Sequence, residues 1–278
     1  MTSDVTRRAF VSTTLATGFA LAVRPVSAQT ITTDATGIVA ADVKIPTGGK
    51  DMPGYSAMPE AAPGGRPFPM ILVVQEVFGV HEHIKDLCRR LAKVGYYAVA
   101  PELYFRQGDP KTAQGVEEVI KIANKVPDEQ VMADLDATVA FAKKTGKLDG
   151  AKIAITGFCW GGRVVWLYAS KGTVKAGAAW YGRISNAPNV LQPRSSLDIA
   201  STLKVPVIGF YAGHDSGIPV SHVELMKTEL AKGKSGSELN VYADAQHGFN
   251  ADYRPSYNKA DATDAWAKML AWFKKNGV

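Results

Sequence analysis

The chain has 278 residues, enough for one α/β domain with a large core or for two small domains. Its composition is typical of a soluble globular protein, with 46% hydrophobic and 21% charged residues. The formal net charge is +6, but charges of both signs alternate and no basic block carries interleaved aromatics. Nucleic-acid binding is therefore not expected.

The first 28 residues have the pattern of an export signal. Residues 6–11 read Thr-Arg-Arg-Ala-Phe-Val, an apolar segment covers 11–23, and small residues end at Ala28. The apolar segment is too short for a permanent bilayer span. We expect passage through the twin-arginine translocon, cleavage after Ala28 and a periplasmic protein, with residues 29–278 as one domain. The alternative is a hydrophobic N-terminal helix after a chance arginine pair.

The remaining chain alternates short apolar strands with helices. Residues 30–50 suggest an edge hairpin, and residues 52–69, rich in Pro and Gly, suggest a loop. Strands are predicted at 70–75, 96–100, 153–156, 176–180, 205–211 and 239–242. Helices are predicted at 83–94, 116–125, 129–145, 163–168, 222–232 and 261–275. This order predicts an α/β fold whose mostly parallel sheet is covered by helices on both faces.

Residues 157–162 carry the most specific motif. They read Gly-Phe-Cys-Trp-Gly-Gly between a predicted strand and a predicted helix. The nucleophile elbow of α/β-hydrolases consists of a strand, a Gly-x-nucleophile-x-Gly turn and a helix. In this chain, Cys159 stands where a serine is usual. The glycines are needed because side chains there would strike the neighbouring strand and helix. Cys159 would lie at a helix N-terminus, which stabilises a thiolate.

Two residues at later strand ends can complete a catalytic triad with Cys159. Asp215 follows the strand at 205–211, and His247 follows the last predicted strand. A single loop histidine or aspartate is more commonly a surface, packing or turn residue. The order nucleophile, acid, histidine is nevertheless that of the α/β-hydrolases. We predict that His247 takes the thiol proton and that Asp215 fixes its tautomer.

Glu76 lies at the carboxyl end of the predicted strand 70–75, where active sites of parallel sheets are found. The alternative is a glutamate that caps a helix or forms a salt bridge. A carboxylate near Cys159 would raise the pKa of a thiol and protect it from oxidation. In this fold, the loop after such a strand also supplies an oxyanion N–H, so we expect Val77 and Trp160 to provide the two backbone donors.

Together these segments resemble the dienelactone hydrolase (carboxymethylenebutenolidase) family from about residue 35 to the C-terminus. The matching pieces are residues 75–80, 101–104, 157–162, the Asp215 loop and 247–249. The resemblance implies a compact single-domain α/β-hydrolase without a cofactor or metal. It implies that Glu76 holds the thiol at rest and takes its proton when the substrate arrives. It also implies an enol-lactone that is opened through a Cys159 thioester, which water then hydrolyses.

The family binds its substrate carboxylate with two arginines. Arg106 matches the first one. The second is expected four residues after the histidine, where this chain has Ala251; Arg254 follows three residues later and either reaches the cleft or lies on the surface. Phe78 and Tyr181 are further candidates for the substrate pocket, although Tyr181 could equally be a packing residue.

Two other features suggest no chemistry. Cys88 lies in a helix-like run and is expected to be a buried apolar residue, so no disulfide with Cys159 is predicted. His81 and His83 are interpreted as residues at a helix start rather than metal ligands, since no third ligand stands at helical spacing. A monomer is expected.

Two other functions remain open. A broad esterase or thioesterase would share the triad but would not require a substrate carboxylate. A non-enzymatic module would bind a ligand or sense redox state, with Cys159 inert towards esters. The presence of all three triad residues favours a small lactone or ester as substrate.

Overall fold

The computed structural model describes residues 30–61 and 63–278, so the export signal predicted at residues 1–28 lies outside the described residues. One eight-stranded sheet organises the chain, in the order β1-β2-β4-β3-β5-β6-β7-β8. The strands are β1 (Ile38–Ile45), β2 (Met52–Pro59), β3 (Phe68–Val74), β4 (Tyr97–Pro101), β5 (Leu148–Phe158), β6 (Ala176–Trp180), β7 (Val207–Ala212) and β8 (Glu238–Tyr242). Pairing is antiparallel for β1–β2 and β2–β4 and parallel elsewhere.

Helices flank this sheet. They are α1 (Glu82–Lys93), α2 (Val116–Ala123), α3 (Asp128–Lys144), α4 (Trp160–Ala169), α5 (Ser196–Ile199), α6 (Val220–Lys232) and α7 (Lys259–Lys275). Short 3₁₀ turns lie at Pro63–Gly65, Pro110–Thr112 and Ala200–Thr202. Among the described residues, none of these helices has the length and apolar character needed to cross a membrane.

The central strands are continuous apolar runs because both of their faces are covered. All residues of β6 and β7 are buried, as are all but one of β3. Helix α1 contacts β2 and β4, while α4 contacts β5 and β6. The predicted fold class, a single α/β domain with a mostly parallel sheet, is confirmed.

The predicted loop at 52–69 is wrong over its first half. Met52–Pro59 is a strand that pairs with β1 on one side and with β4 on the other. Pairing with two neighbours overrides the weak strand propensity of its Pro and Gly residues. Met52 and Ala57 are fully buried, so burial fixes the register of this strand. The predicted strand 153–156 is also too short, since β5 already begins at Leu148.

Candidate active site

Cys159 occupies the sharp turn between β5 and α4. Its φ is 55°, a conformation that is strained for any residue other than glycine. The turn packs closely against the end of β3: a Cβ added at Gly161 would lie 2.5 Å from the carbonyl oxygen of Gln75 and 2.6 Å from that of Val74. The backbone of Cys159 donates a hydrogen bond to the Trp180 carbonyl at 3.0 Å. Only a glycine at position 161 permits this turn.

Asp215 and His247 come together beside this turn. Nδ1 of His247 lies 2.6 Å from Oδ2 of Asp215. The other carboxylate oxygen accepts hydrogen bonds from the backbone N–H groups of Gly217 and Ile218, at 2.9 and 3.1 Å. Nε2 of His247 is buried and has no full hydrogen bond, although the ring interacts with Cys159. Catalytic hydrogen bonds are commonly long before a substrate binds.

His247 sits in an environment that favours its protonated form. Burial alone would lower the pKa of the imidazole, but the charges of Asp215 and Cys159 and their hydrogen bonds raise it to about 10. The arrangement can therefore hold the proton that leaves the Cys159 thiol. This is the behaviour required of the base in a cysteine hydrolase.

Two backbone N–H groups flank the elbow. Trp160 is the first residue of α4, where N–H groups lack an acceptor within the helix. Val77 is nearly buried in the tight turn from Glu76 to Gly79, which is closed by the Gly79 N–H donating to the Glu76 carbonyl at 3.2 Å. Because Gly161 packs directly on residues 74 and 75, this turn and the start of α4 lie next to each other.

Glu76 is fully buried and belongs to a group of polar side chains, the Glu76 cluster, defined as Glu76, His81, Tyr253 and Arg254. The Tyr253 hydroxyl donates to Oε2 of Glu76 at 2.5 Å, and Nε2 of His81 lies 3.2 Å from the same oxygen. Nη2 of Arg254 lies 3.4 Å from Oε1. The Glu76 carboxylate thus has three partners, one from the start of α1 and two from residues 253–254.

These partners keep Glu76 ionised. Burial would raise the pKa of the Glu76 carboxyl, but the Arg254 charge and the His81 hydrogen bond lower it well below its usual range. Burial similarly raises the pKa of Tyr253, and the Glu76 charge adds to that effect. The resting state of the cluster is therefore a carboxylate that faces a neutral phenol and a guanidinium.

Tyr181 lies next to His247 of the triad, and Phe78 lies next to the Glu76 cluster. Tyr181 has a φ of 37°, and its buried hydroxyl has no hydrogen-bond partner. Its ring meets that of His247 edge-on with centroids 5.1 Å apart. Burial raises the pKa of Tyr181 well above its ordinary value, and the Glu76 charge raises it further. Phe78 is half-buried, with the Arg254 guanidinium 5.2 Å from its ring centre.

The two candidate arginines have different surroundings. Arg106 makes a bidentate salt bridge to Asp134, with N–O distances of 2.7 and 3.0 Å, and stacks on Phe105. Arg254 is fully buried, and neither of its Nη atoms makes a hydrogen bond. Arg254 therefore does not lie on the surface, and its guanidinium keeps donors available. The Nη donors of Arg106 are already hydrogen-bonded to Asp134 on α3.

Sequence reasoning missed His81, Tyr253 and Tyr104. His81 does precede the first residue of α1, as expected, but its side chain reaches back to Glu76. The buried hydroxyl of Tyr104 lacks a full hydrogen bond, and its ring meets Trp160 edge-on at 4.9 Å. The available signals were the five-residue step from Glu76 to His81 and the Tyr-Arg pair at 253–254.

Cys88 and Cys159 are both free thiols. Cys88 is fully buried in α1, and that burial raises the pKa of its thiol. Within residues 30–61 and 63–278, the structure contains no group of three or more His, Cys, Asp or Glu side chains that could hold a metal ion.

Known proteins resemble this chain in sequence and in fold. The model of the "Dienelactone hydrolase family" matches residues 52–277. A "Putative carboxymethylenebutenolidase" of Methylorubrum extorquens is 55% identical, covering 99% of this chain and 95% of its own length. One of the same name from Escherichia coli is 46% identical over 96% of this chain and 98% of its own. The crystal structure of a "Putative Dienelactone Hydrolase" from Klebsiella pneumoniae superposes with a TM-score of 0.83 at 48% identity, covering 86% of this chain and 99% of that one.

Proposed function

The chain belongs to the dienelactone hydrolase family and is a hydrolase of ester bonds, and we propose that it opens a small enol-lactone bearing a carboxylate through a Cys159 thioester. The observation that carries this proposal is the placement of His247 between Asp215 and the strained Cys159. A nucleophile, a base and a carboxylate that orients the base are the minimum for covalent acyl transfer.

In the first step, His247 holds on Nε2 the proton that has left the Cys159 thiol, and Sγ attacks the lactone carbonyl carbon. The carbonyl oxygen becomes an oxyanion and accepts hydrogen bonds from the Val77 and Trp160 N–H groups. The ring C–O bond then breaks, and the proton on His247 goes to the released enol oxygen. The product stays attached to Cys159 as a thioester.

In the second step, water hydrolyses the thioester. His247 removes a proton from the water as its oxygen attacks the thioester carbonyl. The C–S bond breaks, and the thiolate recovers the proton from His247. The products are a carboxylic acid and the regenerated thiol, so the cycle needs neither a cofactor nor a redox step.

Arg254 is assigned to the substrate carboxylate. It is buried next to the triad, its Nη donors make no hydrogen bond, and its charge interacts with both Glu76 and Cys159. A planar guanidinium is suited to bidentate carboxylate binding. The expected transfer of the thiol proton to Glu76 stays a prediction, since the Glu76 oxygens contact His81, Tyr253 and Arg254 at rest.

The test is a panel of substrates with and without a carboxylate, run on the chain that begins after residue 28. Dienelactone should be turned over with a lower KM than p-nitrophenyl acetate. Rapid quenching followed by mass spectrometry should find the acyl group on the peptide that contains Cys159. Acyl transfer to another residue, or turnover without any acyl-enzyme, would refute the thioester route.

The same panel separates the two other functions. Equal KM values for charged and neutral esters would indicate a broad esterase or thioesterase without a carboxylate requirement. No turnover, together with a Cys159 that resists iodoacetamide when ligand is bound, would indicate a binding module.

We also propose export through the twin-arginine translocon to the periplasm, on the sequence pattern of residues 1–28 alone. The mass of the protein in a periplasmic extract tests this proposal. It should correspond to a chain that begins at residue 29, and a chain that retains residues 1–28 there would contradict cleavage.

A further inference from the structure

His81 links the buried Glu76 carboxylate to solvent. Its side chain is 21% exposed, whereas the side chains of Glu76 and Arg254 are fully buried. Its Nε2 lies 3.2 Å from Glu76, and its ring packs edge-on against Tyr253 with centroids 5.1 Å apart. His81 can therefore exchange a proton with water while it touches the carboxylate.

Charged groups of both signs surround His81. Glu76 acts on it from the turn after β3, and Glu102 from the segment after β4. Opposing these, Arg254 contributes one positive charge, and the N-terminus of α1 carries a partial one. His83 and Tyr253 complete its titratable surroundings. Of the remaining nearby cations, Lys111 is 52% exposed and lies 3.9 Å from Glu102.

The protonation of His81 sets the net charge of the site that receives a carboxylate. With a neutral imidazole, Glu76 and Arg254 cancel, and an arriving substrate carboxylate leaves the site with one unbalanced negative charge. With an imidazolium, the site carries one positive charge before binding and none afterwards. In a buried site, an unbalanced charge is far costlier than in water.

We propose that protonated His81 is the second cation of the carboxylate site, so that the protein selects anionic substrates more strongly at acidic pH. This inference rests on the proposed function, because it assumes that Arg254 binds the substrate carboxylate. His81 acts by charge through Glu76 and is a specificity-determining residue with no part in bond making.

The experiment measures KM between pH 5.5 and 8.5 for dienelactone and for neutral p-nitrophenyl acetate. Carboxylic acids are ionised throughout this range, whereas imidazole titrates within it. Because the ring is partly exposed, screening limits the effect: KM for dienelactone should rise roughly 5- to 10-fold from the acidic to the alkaline end. KM for the neutral ester should change less than about 2-fold, since titration of the triad affects both substrates alike.

Three variants sharpen this test. His81→Gln keeps a hydrogen-bond donor for Glu76 but has no charge, so its KM for dienelactone should be high and independent of pH. His81→Lys keeps a cation, so its KM should stay low across the range and provides a second reading if His81→Gln folds poorly. His83→Gln is the matched control: His83 stacks on His81 but pairs with Asp252, and this variant should retain the wild-type pH dependence.

The possible failures are distinguishable. Turnover of both substrates with a pH-independent KM for dienelactone, or the same pH dependence in His81→Gln, overturns the role of His81 and leaves the hydrolase proposal intact. If nothing is turned over, the hydrolase proposal fails. Calorimetric binding of dienelactone to Cys159→Ala then decides the inference: it should weaken roughly 5- to 10-fold from pH 5.5 to 8.5, and equal affinities would overturn it.

Discussion

The site contains two carboxylate–histidine pairs with different surroundings. In the first, Asp215 is fixed by backbone N–H groups and lies 2.6 Å from His247. In the second, Glu76 lies 3.2 Å from His81 and also contacts a guanidinium and a phenol. The negative charge of Asp215 raises the pKa of His247, whereas the negative charge of Glu76 is balanced by Arg254. In our proposal, a carboxylate and a histidine thus form a catalytic base in one place and a charged binding site in the other.

The largest effect should come from removing the nucleophile that the first pair serves. Cys159→Ala should reduce kcat for dienelactone on the order of 10⁵-fold, because no acyl-enzyme can form. Cys88→Ala is the matched control, since it removes the other free thiol from α1 without touching the site. It should cost about 1 kcal/mol of stability and leave kcat unchanged. Full activity in Cys159→Ala would refute covalent catalysis.

Asp215→Asn should have the next largest effect. We expect kcat to fall roughly 10³- to 10⁴-fold, because the amide cannot hold the tautomer or stabilise the imidazolium. The pKa of His247 should fall from about 10, as the largest contribution that raises it is the Asp215 charge. An NMR titration of the His247 ring measures that change, and an unaltered value would show that Asp215 is not its partner.

The same raised pKa predicts how stability depends on pH. The stabilisation from the Asp215–His247 pair is fully present below the pKa of an unfolded-state imidazole, about 6.5, and is lost as pH rises towards about 10. The melting temperature of the wild type should therefore fall more steeply between pH 7 and 9.5 than that of Asp215→Asn. Parallel curves for the two proteins would contradict this linkage.

In the second pair, the equivalent carboxylate-to-amide substitution should lower the stability of the protein more than it lowers the turnover rate. Glu76→Gln leaves the Arg254 guanidinium buried without its counter-charge, at a cost of about 3–5 kcal/mol in the free energy of unfolding. Glu224→Gln breaks an exposed salt bridge to Lys227 on α6 and should cost less than about 1 kcal/mol. Urea unfolding of both variants compares them, and equal small losses would mean that Glu76 does not balance Arg254.

The smallest effect is expected at Arg106. Its guanidinium is committed to Asp134, and its side chain is 34% exposed. Arg106→Met leaves the Asp134 carboxylate, which is only 2% exposed, without its counter-charge and should lower stability by about 1–3 kcal/mol. It should change KM for dienelactone less than about 2-fold. A large rise in KM with unchanged stability would instead restore Arg106 as a carboxylate ligand, as the family resemblance implies.

The strands around the catalytic turn could be predicted because they are short apolar runs with a strong local signature. The sequence predicts a strand at 176–180 with the same limits as β6, but it does not predict β2, because the Pro and Gly residues there suggest a loop. The assignment of Cys159, His247 and Asp215 needed only the glycine pattern and the chain order. Each of these three is placed by backbone geometry at the end of a strand.

The Glu76 cluster could not be predicted in the same way. Tyr253 is 177 positions from Glu76, and nothing in the local sequence specifies that contact. Arg106 and Arg254 are equivalent as residue types, and only packing assigns one to Asp134 and the other to Glu76. Sequence by itself determined the sheet and the catalytic turn, because apolar periodicity and glycine sterics act over a few residues. Tertiary structure decided the partners of each buried charge, because desolvation and Coulomb attraction depend on distances that exist only in the folded chain.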